Sequence, residues 1–178
     1  MDWDRVSINI FEGQAFSYVA WLDKAHSLHE SAKLLEPRIQ KFWDVLQGQQ
    51  AMLSTPAEPE HIHATYFMLA AYSCENLLKA ALIMRNVVRY KDEFQQTKRF
   101  PKDLQSHDLF KLAQKAGVAL TASEEGILRR LTRSAVWSGR YPVPIKYGDV
   151  AGREVFSDGE DRSVSWFARD DLKKINSL

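Results

Sequence analysis

The chain has 178 residues, 45% of them apolar, which is enough to bury one sizeable core and too few to make two comfortable domains. Lys and Arg number 24 against 23 acidic residues, a formal net charge of +1, so no global field marks a binder of nucleic acid or of an anionic membrane. Any anionic partner has to be held by a local patch. The lone cysteine, Cys74, excludes an intrachain disulfide and reads as a small buried hydrophobe in a reducing compartment. The N-terminal MDWDRVSINIF lacks the basic flank and apolar stretch of a signal peptide, so a cytoplasmic protein is expected.

In chain order, Phe16, Val19, Ala20, Ala32, Leu34 and Leu35 recur at helical spacing and predict a first helix over about residues 14 to 35. Pro37 removes an amide donor and disfavours the α conformation at Glu36, which predicts a break there before Ile39, Phe42, Trp43 and Leu46 carry the pattern on. Residues 53 to 60, LSTPAEPE, read as a connection. Residues 62 to 89 are apolar almost all round and predict the central helix of a bundle. Its length would suffice for a membrane span, but Glu75, Asn76 and Lys79 lie mid-segment, where ionisable groups in a bilayer are costly, so no membrane partner is expected. Tyr72, Glu75, Lys79 and Asn86 should share one side of it.

Residues 90 to 106 are charged and contain Pro101, which predicts a helix end and a solvated loop carrying Lys98, Arg99 and Lys102. Ser106 stands where it can cap a short helix, HDLFKLAQKAG, with Asp108 in its first turn and Gly117 at its end. Thr121 and Glu124 have capping-box spacing and open the next helix, which Gly139 can end. Residues 141 to 163 read as a loop or small hairpin, and 163 to 178 as a last helix with Val164, Phe167, Leu172 and Ile175 inward. Trp3, Trp21, Trp43, Trp137 and Trp166 are read mostly as packing residues. The expected fold is an all-α, antiparallel up-and-down bundle of about five helices in a single domain spanning 1–178.

The chemistry concentrates between residues 129 and 144. Arg129, Arg130 and Arg133 sit near a helix C-terminus, where basic residues also simply complement the helix dipole. If the helix persists, Arg133, Trp137 and Arg140 put an indole between two guanidiniums, a face that can stack a base and clamp a phosphate, with Tyr141-Pro142 forming an extended exit. His26 with His29, and His61 with His63 beside Glu58 and Glu60, have metal-pair spacing but supply no converging set of three or four ligands, so no metal is expected. Phosphate-binding glycine loops and a nucleophile elbow are missing from the sequence, and no cofactor is expected. His107 occupies a first helical turn, where a partly exposed side chain is the ordinary outcome.

Together, SCENLLKAALI in a central helix, SHDLFKLAQKAG after a loop, and an arginine-bearing helix leading into GRYP resemble the HEPN superfamily of helical bundles over roughly residues 60 to 145. The resemblance implies a homodimer with a groove between helices at its interface and, in many members, metal-independent RNA cleavage of toxin or defence type, with room for an antitoxin-like protein partner. That activity rests on an arginine followed a short way downstream by a histidine. Here six residues separate Arg133 from a second arginine, Arg140, which stays protonated and cannot exchange protons near neutral pH as imidazole can.

Three functional expectations follow. The first is a nucleotide- or RNA-binding module with ligand contacts from Glu75, Lys79, Arg130, Arg133, Trp137, Arg140 and Tyr141. The second is an endoribonuclease with a rearranged site, its catalytic candidates being Glu75, His107, Arg133 and Arg140. The third is a non-catalytic protein-interaction bundle in which Glu75, Lys79 and Arg133 form a buried ion-pair network fixing helix register.

Overall fold

A computed structural model describes residues 3–52, 62–144, 146–150, 152–164 and 167–178. The predicted connection at 53–60, with Glu58 and Glu60, as well as His61 and Trp166, lies outside the described residues. The described chain is an all-α bundle with one two-stranded ribbon.

The first predicted helix is two. Helix α1 (Trp3–Ala15) stops short of Ser17, whose hydroxyl accepts the Ala20 N–H at 3.4 Å and caps α2 (Tyr18–Lys33). The apolar run through Phe16 hid that cap. Val19 and Leu34 face solvent rather than the core, because the face of α2 that meets the bundle runs through Ala25 and Ala32. Helix α3 (Glu36–Met52) begins at the predicted Pro37 break.

Helix α4 (Ile62–Thr97) is the axis of the bundle and runs eight residues beyond the predicted end at 89. Its bend falls at Asn86, whose backbone leaves helical geometry (φ −131°, ψ 23°) while its amide donates to the Leu82 carbonyl at 3.0 Å. By length and composition α4 could cross a membrane, yet half of its most apolar window is buried inside the protein. The fold uses it as a core helix. Helix α2 lies antiparallel on it: Ser73 reaches Ala25 and Lys79 lies over Trp21, so residue numbers rise in one helix as they fall in the other.

Lys98, in the left-handed region at φ 52°, ends α4, and the connection that follows doubles back along it. Arg89 and Lys115 both hold Asp103 of that connection, at 2.9 and 2.6 Å, and Leu104 is fully buried beneath it. The Lys115 ammonium, against a smaller cost of burial and with help from Arg89, holds the Asp103 carboxyl below the usual carboxylate range. Helix α5 (Leu109–Lys115) consequently runs parallel to α4, with His107 beside Glu75 and the Ala116 carbonyl beside Arg85. Its cap is Asp108, accepting from the Lys111 N–H at 3.0 Å, rather than Ser106, which accepts from Asp108 N–H. Gly117 closes it at φ 66°, with the Val118 N–H reaching back to Ala113.

Helix α6 (Ala122–Arg133) opens with the predicted reciprocal box between Thr121 and Glu124. It continues as one wide π-type turn over Ser134–Ser138 and returns antiparallel to α4, tied by the Tyr72 hydroxyl to the Ala135 carbonyl at 3.2 Å. Beyond it come the ribbon β1 (Arg153–Val155) and β2 (Asp161–Ser163) and a short α7 (Asp171–Ile175). Of the helix predicted over 163 to 178, only Asp171–Ile175 is helical among the described residues. Val164 is buried directly after β2, and Phe167 stacks flat on Phe67 at 3.5 Å between centroids, a contact that a continuous helix over 163 to 178 does not require.

Candidate functional site

The predicted site residues fall into two groups, one on α4 and one at the end of α6. Glu75 and Lys79 are one turn apart and both buried, with Lys79 Nζ 2.6 Å from Glu75 Oε1. The second carboxylate oxygen lies 2.9 Å from His107 Nδ1. A carboxylate can only accept, so Nδ1 carries the hydrogen and the ring's Nε2 is left for solvent or a ligand. His107 itself is 60% exposed. Tyr72 and Asn76 complete the polar line by bonding to backbone carbonyls, of Ala135 and Tyr72 respectively. Each member of this line has a partner, which is what a polar stripe on a core helix needs. Arg133 is not part of the network, contrary to the sequence expectation; its place is taken by His107.

The second group is the end of α6. Arg129 and Arg130, expected on an open basic face, have side chains only 15% exposed. Arg129 bridges Glu125 at 2.8 Å and Glu154 at 2.7 Å and lies between the rings of Phe110 and Phe156. Burial pushes the Glu125 carboxyl up, but the hydrogen bonds from Ser157 and Arg129 outweigh it and hold the group below its ordinary value. Arg130 bridges Asp171 of α7 at 3.1 Å, and its Nε is buried without a hydrogen-bond partner. These two arginines tie the C-terminal segment to α6.

Arg133 and Arg140 differ. Among the described residues neither has a carboxylate partner. Arg133 donates to the Asp149 carbonyl and lies over the Trp137 ring at 5.3 Å; Arg140 donates to the Val136 carbonyl at 2.6 Å and lies over Tyr141 at 5.5 Å. The indole is therefore flanked by one guanidinium instead of the expected two, because the wide turn at Ser134–Ser138 shifts the phase of everything after it. Gly139 ends this turn, and a side chain there would meet Met68 Cβ at 2.5 Å and the Ser134 carbonyl at 2.7 Å. Glycine is needed for that close approach and not for an unusual φ.

Arg130, Arg133, Trp137 and Ser138 also line a recess of about 210 Å³, together with Val150, Val164 and Phe167. Two guanidiniums, a hydroxyl and an indole around a cavity of that size offer donors and a flat apolar wall to a phosphate or a base edge. The sequence showed the arginines but not which were neutralised. Glu125 lies one turn before Arg129 and was visible by its spacing, whereas Glu154 and Asp171 are too distant in the chain to read. Among the described residues no group of three His, Cys, Asp or Glu is placed to hold a metal. His63 packs edge-on against the Phe42 and Trp43 rings.

No family model, curated protein or solved structure matches the chain.

Proposed function

We propose that the protein is a HEPN-like nucleotide- or RNA-binding module of the cytoplasm in which Arg133 and Arg140 hold phosphate. The observation that carries this reading is the unequal treatment of four arginines along α6 and the turn that follows it: Arg129 and Arg130 are paired with carboxylates, while Arg133 and Arg140 have no carboxylate partner among the described residues and lie over Trp137 and Tyr141. Each still has guanidinium donors to offer, and an adjacent ring provides a stacking platform for a base. A homodimer is part of the proposal. Leu77, Met84 and Val88 form an exposed apolar stripe along α4, on positions that fall on one helix face.

The test is fluorescence anisotropy of a labelled single-stranded RNA and of a labelled nucleotide, with wild type and Arg133→Ala/Arg140→Ala. Loss of affinity in a protein with an unchanged circular dichroism spectrum supports the module; equal affinity overturns it.

One observation favours a second reading. His107 presents a free imidazole nitrogen with a buried carboxylate behind it, the arrangement of a general base. As an endoribonuclease, the protein would take the 2′-hydroxyl proton on His107 while the 2′-oxygen attacks phosphorus and the P–O5′ bond breaks, leaving a cyclic phosphate and a 5′-hydroxyl that takes its proton from water, independently of metal. Chelator-resistant cleavage abolished by His107→Ala supports this reading. Purified protein that binds RNA intact removes it.

A further inference from the structure

We propose that a second ligand site, distinct from the arginines of α6, lies between α1, α2 and α4, and that it takes a small, flat aromatic monoanion. The recess there is the size of a drug-like ligand, about 500 Å³. Its walls are Phe11, Trp21 and Phe100, and Ala15 and Ala20 leave the space between them open.

The walls are preformed. The Trp21 indole N–H donates to the Ala15 carbonyl at 3.0 Å, which fixes the ring. Phe11 stacks on Phe94 at 4.9 Å and meets Phe100 edge-on at 6.3 Å, while Trp21 and Phe100 lie nearly parallel, 19° apart, at 6.1 Å. Rings held in this way favour a planar aromatic body over a flexible chain, because their faces and edges are already oriented and no ordering cost remains to be met on binding.

The charge of the ligand follows from the polar lining. Lys24 borders the recess and has no carboxylate partner among the described residues. Lys79 lies 5.6 Å from the centroid of the Trp21 ring, and the carboxylate beside it, Glu75, is already engaged by Lys79 and His107. Asn76 also lines the recess; its amide nitrogen donates one hydrogen to the Tyr72 carbonyl at 2.6 Å and keeps a second for a ligand acceptor. An apolar cleft bordered by one cation without a carboxylate partner among the described residues, Lys24, and by the side-chain amides of Gln14 and Asn76 fits an aromatic carboxylate.

The experiment follows the Trp21 indole N–H by nuclear magnetic resonance, assigned by its loss in Trp21→Phe, during titration with 1-naphthoate and with neutral 1-naphthalenemethanol. Both probes are expected to shift that resonance saturably, one per chain. Lys24→Gln, a change on the exposed side of α2, should weaken naphthoate about fivefold and leave the alcohol unaffected. Ala20→Phe should block both, and Arg133→Ala neither. Absence of a saturable shift in wild type overturns the site, as does a shift that survives in folded Ala20→Phe. Naphthoate affinity unchanged by Lys24→Gln overturns the anion preference even if Ala20→Phe fails to fold.

Discussion

The polar cluster on α4 and the arginine-bearing end of α6 both set cations beside aromatic rings, but they dispose of the charge in opposite ways. On α4, Lys79 is buried and its charge is met at 2.6 Å by Glu75, which in turn holds His107. At the end of α6, Arg133 and Arg140 meet, among the described residues, backbone carbonyls and rings and no carboxylate. A buried ion pair is dear to break and offers little to a ligand; a guanidinium without a counter-charge stabilises the fold little and offers much. The two regions should therefore respond in opposite ways to mutation, the first in stability and the second in binding.

The largest effect on stability should come from splitting the α4 pair. Glu75→Gln strands the Lys79 ammonium in the core and should cost about 3 to 5 kcal/mol in urea denaturation, most of it recovered when Lys79→Met is added to Glu75→Leu. A cost under about 1 kcal/mol would show that α4 treats its charge as the surface does. Next in size, Gly139→Ala drives a methyl into Met68 and the Ser134 carbonyl, and a loss of about 1 to 3 kcal/mol is expected. Because that change deforms the basic end without removing a charge, any accompanying drop in RNA affinity would report on geometry alone.

Smaller still is the pin that returns the chain from α4 to α5. Asp103→Asn should cost about 1 kcal/mol near neutral pH. Because the folded carboxyl titrates below its unfolded value, this contribution is present above the unfolded value of about 4 and disappears as pH falls through the folded one. Wild type and variant should thus converge in stability in acid, which a series of thermal melts from neutral to acidic pH would show. At the bottom of the scale, Arg133→Ala and Arg140→Ala should each change stability by no more than about 0.5 kcal/mol.

What could be read from the chain was local. Thr121 and Glu124 announce a helix start by their spacing, Pro37 announces a break, and the apolar run of α4 announces the core, because each signal acts within a turn or two of itself. The split at Ser17 escaped because a single hydroxyl cap competes with an apolar pattern that continues through Phe16. The C-terminal segment escaped because Phe167 is placed by stacking on Phe67, far away in sequence, and not by a helical period. At the site, the residue types were legible and their pairing was not. Glu75 was seen, but its union with His107 depends on a connection that doubles back, and Arg129 and Arg130 were sorted from Arg133 and Arg140 by acids on the last ribbon and α7.

The central claim is that the unpaired arginines hold phosphate, and the salt dependence of RNA binding tests it most directly. Each phosphate contact on a single strand contributes a slope of about −0.7 in the logarithm of affinity against the logarithm of salt concentration. Removing Arg133 and Arg140 together should flatten that slope by about 1.4 while the urea midpoint stays in place. A slope and an affinity unchanged in the double variant would contradict the account.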